Sequence, residues 1–285
     1  MSRTETPLEG RRVLITGAAR GIGALTAKRL HEGGARVALM GIEPELMADV
    51  AASCGDAPWF ECDVADREQV DTAVASAVEA LGGLDVAMAN AGIGAQLPLV
   101  GGDPRIFEQT IAVNLLGTYY LARAAGPHVS HPGGYVLLTA SLAAALHGPL
   151  MGAYSASKAA VEALGNTLRI ELRPSGARVG VAYYAELDTD MTSRGFATKA
   201  AALMPVGGHG HLPVAPVEPA IDAIERGIRR RSRRITSPGW GAAVLPLRML
   251  VQPLIERVVR RNLVRALEIA RTEEAPFTTE QRERV

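Results

Sequence analysis

Tyrosine and lysine stand four residues apart in Tyr154-Ser155-Ala156-Ser157-Lys158, within a stretch from Tyr154 to Leu172 that reads as helix. On a helix that spacing puts both side chains on one face, one above the other. A free phenol, with a pKa of about 10, is a poor base near neutrality. A neighbouring ammonium favours phenolate, and lowering the pKa by ~3 units takes roughly 4 kcal/mol, within reach of close charges in a partly dry cleft. Such a pair can exchange a proton with a hydroxyl, although Y-x-x-x-K alone is a common coincidence. Ser141 lies thirteen residues earlier, just after the apolar run Tyr135 to Thr139, and Asn114 stands in the helical segment Val113-Asn114-Leu115-Leu116-Gly117-Thr118.

A second chemical signal lies near the start. Thr16-Gly17-Ala18-Ala19-Arg20-Gly21-Ile22-Gly23 directly follows the apolar run Arg12 to Ile15 and opens a helical stretch. Between a strand and a helix, Gly17 allows a tight turn, Gly21 lets backbone approach a pyrophosphate, and Gly23 lets helix and sheet come close. The helix N-terminus then offers free amides and the positive end of its dipole to phosphates.

These residues need a scaffold, and the chain has the pattern of one. Short apolar runs (Arg12 to Ile15, Arg36 to Met40, Trp59 to Cys62, Val86 to Ala89, Tyr135 to Thr139, Val179 to Tyr183) alternate with amphipathic stretches such as Gly21 to Gly33 and Arg67 to Leu81. Continuous apolar strands separated by helices predict an α/β fold: a doubly wound parallel sheet of Rossmann type, covered on both faces. The expected organisation is one catalytic domain over 8–240, a helical extension over 241–271 and a frayed polar tail over 272–285. Residues 186–219, rich in Gly, Pro, Thr and Ala, break the rhythm and read as a lid or substrate-binding segment.

The combination resembles the short-chain dehydrogenase/reductase family over about residues 10 to 238. The glycine turn has the family's T-G-x-x-x-G-x-G form. Asp63-Val64 follows the third strand, where the family's aspartate contacts adenine, and Asn90-Ala91-Gly92 matches the N-A-G triplet beside the adenine ribose. Asn114, Ser141, Tyr154 and Lys158 match the family's catalytic set residue by residue. The resemblance implies hydride transfer between a nicotinamide cofactor and an alcohol or ketone. Tyr154 would be the general acid/base and Lys158 its electrostatic partner, also holding the nicotinamide ribose. Ser141 would hydrogen-bond the substrate oxygen, and Asn114 would place a water linking Lys158 to solvent. Thr189 and the Leu187 amide would meet the nicotinamide carboxamide. Where the family carries Pro-Gly this chain has Tyr184-Ala185, which makes Tyr184 and Glu186 candidates for substrate contact.

The slot that an acidic residue fills in many NAD enzymes, at the end of the second strand, holds Gly41. Glycine does not repel a 2′-phosphate, and Arg20 could pair with one. NADP(H) is therefore the favoured cofactor and NAD(H) the alternative; Glu43 reads as an acidic residue opening the next helix, and reaching the ribose is its other reading. Loops at 93–97, 142–151 and 186–219 are mostly small or apolar, so an apolar secondary alcohol or ketone is expected, with His147 a further candidate contact. His209-Gly210-His211 lacks a third ligand nearby, and no metal is expected.

Composition narrows the classes. Among 285 residues 48% are hydrophobic and the formal net charge is +0, which offers no global field for nucleic acid. Cys54 and Cys62 form no metal or redox spacing, and the polar start lacks a signal-peptide core, so a cytoplasmic protein is expected. The arginines from Arg226 to Arg234 read as the exposed end of a helix leading into the last strand. Leu247, Leu250, Val251, Leu254 and Val258 recur at helical spacing among Arg248, Arg257, Arg260 and Arg261, with Pro253 expected to kink or divide the helix. Packing on its own domain or on a subunit partner is the favoured reading; attachment to an anionic membrane and protein docking are the others. The family resemblance implies a homodimer or homotetramer. From a different class, a non-catalytic dinucleotide-binding sensor would keep the fold without needing the proton relay.

Overall fold

In the computed structural model, which describes residues 5–196, 198–204, 214–273 and 277, the six apolar runs become strands and a seventh follows the arginine-rich stretch. They are β1 (Arg12–Thr16), β2 (Arg36–Gly41), β3 (Trp59–Glu61), β4 (Val86–Ala89), β5 (Tyr135–Thr139), β6 (Arg178–Tyr184) and β7 (Arg234–Ser237). All pair in parallel, in the order β3-β2-β1-β4-β5-β6-β7. Successive residues of a strand face opposite ways, so the sheet feeds two cores. Val13, Ile15 and Leu137 join one core with Leu30 of α1 (Gly21–Glu32), Met47 of α2 (Pro44–Ala52) and Ile224 of α7 (Glu218–Arg230). Leu14, Val136 and Leu138 join the other with Val74 of α3 (Arg67–Leu81), Leu121 of α5 (Gly117–Val129) and Val161 of α6 (Gly152–Glu171). The doubly wound fold is the one expected.

Local signals account for the helix ends. Asp66 caps α3 by accepting from the Glu68 and Gln69 amides, and Gly82 closes it in the left-handed conformation. Asp103 caps α4 (Pro104–Ile111), with Pro104 in the first turn. The segment expected as ordinary helix around Asn114 departs from it: Ala112–Leu116 is a π turn between α4 and α5. One widened turn of this kind re-aims a side chain without ending the helix. The arginine-rich stretch falls as expected, with α7 ending at Arg230 and β7 beginning at Arg234.

The extension forms α8 (Gly241–Val259) and α9 (Leu263–Ala270). Pro253 does not divide α8, which runs on through both Pro246 and Pro253. The missing Pro253 N–H would have served Met249, a residue on the exposed side, where water can take its place. Tertiary contacts hold the helix. Arg248 makes a bidentate pair with Glu162 of α6 at 2.7 and 3.0 Å. Gln252 accepts from the His147 amide at 2.9 Å and donates to the His147 carbonyl at 3.2 Å. Ile255 and Val259 are buried with Met204 and Ala266. Of the two partners expected for the apolar stripe, its own domain takes only Val251, while Leu247, Leu250, Leu254 and Val258 face outward. Among the described residues no helix is long and apolar enough to cross a membrane.

Candidate active site

β1 and β4 are neighbours, but the chain leaves them towards opposite faces, and a crevice opens beyond their carboxyl ends. Its floor is backbone. Gly17 has φ +62°, and a Cβ there would stand 2.7 Å from the Ala91 Cα. A Cβ on Gly23 would stand 2.1 Å from the Gly17 carbonyl oxygen, so that position tolerates no side chain. Thr16 Oγ1 accepts from both the Asn90 and Ala91 amides, at 3.0 and 3.1 Å. Asn90 Nδ2 donates back to the carbonyls of Thr16 and Gly17, at 3.1 and 3.2 Å. The N-terminus of α1 carries no side-chain cap. A close backbone cradle at a helix N-terminus fits a dinucleotide pyrophosphate.

The cleft has a volume of about 590 Å³, ample for a cofactor and a small substrate. At the phosphate end it is lined by Gly17, Arg20, Gly21, Ile22 and Gly41. Asp63, Val64, Asn90, Ala91 and Gly92 line its middle. Asp63 is not the helix cap: its carboxylate accepts from the Ala65 amide at 2.9 Å, and Asp66 caps α3. Leu187 and Thr189 line the opposite wall, and a Cβ on Gly21 would lie 3.8 Å from the Thr189 side chain. Ser141, Tyr154, Lys158, Tyr184 and Glu186 line the chemical end.

Helix α6 places Tyr154 and Lys158 one turn apart, the Lys158 Nζ 5.6 Å from the Tyr154 ring centroid. Lys158 Nζ donates to the Thr139 carbonyl at the end of β5, at 2.9 Å. Ser141 caps the short turn Leu142–Ala144: its Oγ accepts from the Ala143 amide and donates to the Tyr184 carbonyl at 3.3 Å. Burial pushes the Tyr154 phenol up to about 12, the Ser141 hydroxyl offsetting part of this and the Glu186 carboxylate adding to it. Burial also pushes Lys158 down to about 8. Dehydration of the phenolate therefore keeps Tyr154 a neutral proton donor in the protein alone, without the positive charge of an oxidised nicotinamide that was expected to act beside Lys158.

Several expectations for individual residues are corrected. The Asn114 side chain is engaged with protein: Oδ1 accepts from the Ile93 amide at 2.8 Å, and Nδ2 donates to the Ile93 carbonyl and Ser157 Oγ at 2.9 and 3.0 Å. Its amide fastens the loop after β4 to α6. The Tyr184 ring is not turned to substrate; it is buried in the core with Ala182, Leu187 and Ile221, on the α7 side of the sheet. His147 is exposed outside the cleft, its backbone tied to Gln252. Arg20 is engaged by two carboxylates: Nε and Nη2 donate to Glu43, and Nη1 to Asp190 at 2.8 Å. Glu43 precedes α2 without capping it, because its carboxylate is turned to Arg20. Among the described residues no group of three or more His, Cys, Asp or Glu could hold a metal ion, and His209 and His211 lie outside them.

Sequence reasoning missed Phe196, Asp190 and Trp240. Phe196 meets the Tyr154 ring edge-on, centroids 5.3 Å apart and planes at 75°, and is buried with Met151. Asp190 closes across the cleft onto Arg20, and Trp240 lines the rim. A lone Phe in a Gly- and Thr-rich segment gives no periodic signal. The residue after Thr189, by contrast, was open to inspection as a partner for Arg20.

Two outcomes follow from this geometry. Lys158 binds fewer protons in the native state than in the unfolded state between about 8 and its ordinary 10.5. Stability from this group therefore rises as pH climbs through that window and is absent below it. In urea unfolding of cofactor-free protein, wild type should gain ~3 kcal/mol on Lys158→Met from about pH 7 to about pH 10; a pH-independent difference would contradict the burial effect. Asn114→Ala should destabilise the fold by about 2–3 kcal/mol, since buried partners lose their bonds. Asn114→Asp should not restore it; an Asn114→Ala protein with wild-type urea midpoint would refute the fastening role.

The geometry agrees with comparisons to known proteins. The family model for short chain dehydrogenase matches residues 11–200. Secoisolariciresinol dehydrogenase of Forsythia intermedia is 35% identical over 177 residues, a match spanning 60% of this chain and 64% of that protein. Sorbose reductase of Schizosaccharomyces pombe is 37% identical over 195 residues, 65% of this chain and 76% of that one. In fold, the chain is similar to a short chain dehydrogenase/reductase from Burkholderia phymatum solved in complex with NAD. Their TM-score is 0.74 at 22% identity, covering 86% of this chain and 96% of that chain. This chain belongs to the short-chain dehydrogenase/reductase family of NAD(P)-dependent oxidoreductases.

Proposed function

We propose that this chain interconverts an apolar secondary alcohol and its ketone, with Tyr154 as general acid/base. The observation that carries the reading is the buried Tyr154–Lys158 pair on α6, facing the cleft with Ser141 beside the phenol. A bound nicotinamide supplies or accepts the hydride at the substrate carbon. In ketone reduction the neutral Tyr154 hydroxyl donates its proton to the substrate oxygen as that oxygen gains charge. In the reverse direction Tyr154 takes the hydroxyl proton. The Ser141 hydroxyl, already donating towards the Tyr184 carbonyl, turns to the substrate oxygen and stabilises its charge. Lys158, held by the Thr139 carbonyl, keeps a positive charge next to the phenol and reaches the nicotinamide ribose. Asn114 acts as a positioning residue by fixing the loop at Ile93 against α6. A sensor that only bound dinucleotide would have no use for a phenol and an ammonium buried together.

The apolar character of the substrate rests on the chemical end of the cleft, where Leu142, Leu146, Met151, Met191, Phe196 and Trp240 leave few polar partners. Relatives named for a lignan dehydrogenase and a sugar reductase span a wide range of substrates, so the walls of this cleft carry the argument. For the dinucleotide the geometry favours NAD(H) over the NADP(H) expected from Gly41. Arg20, the cation expected to hold a 2′-phosphate, is shared between Glu43 and Asp190. Two carboxylates around one guanidinium leave a net negative cluster, which suits a ribose hydroxyl better than a phosphate dianion. Homodimeric or homotetrameric assembly belongs with this reading, and Phe107, Leu116 and Tyr119 leave apolar surface on the α4–α5 side.

Tyr154→Phe should lower turnover by about 10³-fold or more while dinucleotide affinity stays near that of wild type. Substantial turnover by this variant on a substrate the wild type accepts would sink the mechanism. In a fluorescence titration wild type should bind NADH more tightly than NADPH, and Glu43→Gln should narrow that gap by about tenfold through release of Arg20. Tighter NADPH binding by wild type would return the assignment to NADP(H).

A further inference from the structure

We propose that the outward face of α8, with the arginines at its C-terminal end, docks on an anionic lipid surface. Leu247, Leu250, Leu254 and Val258 follow one another three and four residues apart, so they share one side of the helix. That side is opposite the one through which Leu245, Ile255 and Val259 are buried, and the four side chains are between 49% and 71% exposed. Trp240, just before the helix, is exposed as well. A row of large apolar side chains facing water is uncommon on a protein surface and marks an interaction site.

Charge selects the occupant. Residues 241–271 contain six arginines against two glutamates, with no lysine or aspartate. Arg248 is turned inward to Glu162, while Arg257, Arg260, Arg261 and Arg265 are exposed beside and beyond the apolar row. Glu256 lies off that row and meets Gln252. An amphipathic helix with aliphatic residues and a tryptophan on one side, bordered by arginines, lies in the plane of an interface. Guanidinium groups there pair with lipid phosphates. Trp240 and Leu146 both line the cleft, and Leu146 also packs against the Ile255 and Val259 cluster, so docking sets the rim of the cleft beside the lipid. The docking itself does not depend on the reaction proposed above.

The test is flotation of the full chain with phosphatidylcholine vesicles and with vesicles that also contain phosphatidylglycerol. Wild type should float with the anionic vesicles and stay behind with the neutral ones. Leu250→Glu/Leu254→Glu should partition at least about tenfold less, and Arg257→Glu/Arg260→Glu should lose the preference for anionic vesicles. Circular dichroism and dinucleotide binding, read in parallel, should match wild type because all four positions are exposed. Three results would overturn the proposal: wild type that floats with neither vesicle, folded variants that float as well as wild type, or a wild-type oligomer that Leu250→Glu/Leu254→Glu splits in sedimentation. The last would assign the face to a second copy.

Discussion

The structure turns on a phenol and an ammonium held out of water on one face of a helix. Tyr154 and Lys158 share a single turn of α6, and dehydration works on both in the same sense, against charge. The phenol keeps its proton, and the ammonium is loosened until its pKa falls to about 8. Such an arrangement is costly to fold and is useful if a charge arrives later. Among the described groups the Thr139 carbonyl is what meets Lys158 Nζ, and the Ser141 hydroxyl is what eases the phenol. Both lie at the carboxyl end of β5, so the sheet register sets the chemistry.

The rest of the fold supplies walls to that dry corner. Parallel pairing of β1 with β4 brings Thr16 against Asn90, and their reciprocal hydrogen bonds lock two diverging loops into one floor. The π turn at Asn114 then fastens the next loop to α6. Two sets of hydrogen bonds, joined by the chain from Asn90 to Ile93, thus run from the phosphate cradle to α6. Asp190 and Arg20 close the cleft from the other side, joining the segment after β6 to the glycine loop. Phe196 comes from the same segment and covers the Tyr154 ring, which makes the segment a wall of both the cofactor and substrate ends.

Much of this was legible before the structure. Continuous apolar runs located six of the seven strands to within a residue or so, because a sheet buried on both faces leaves no polar side. The family resemblance singled out Tyr154, Lys158, Ser141 and the glycine loop, and these line one cleft. What was not legible depends on partners distant in sequence. Asp190 shares the Arg20 guanidinium with Glu43 from far along the chain, and only its place next to Thr189 pointed to the cleft. Asn114 was recognised as a site residue, but a π turn has no signature in its residues, so the bonds of its amide to Ile93 and Ser157 were not foreseen. The apolar period of α8 was read, but Ile255 and Val259 form a second stripe, and periodicity does not say which stripe the core takes.

The central claim is that the protein keeps the Tyr154 phenol neutral and that only the positive charge of the oxidised dinucleotide draws out its proton. An ultraviolet pH titration of tyrosinate, as the difference between wild type and Tyr154→Phe, measures this directly. Without dinucleotide the difference signal should appear only near a pKa of about 12. With the oxidised dinucleotide bound, it should move down by several pH units. A difference signal that titrates near neutrality in the protein alone, or stays unmoved when the oxidised dinucleotide binds, would contradict the account.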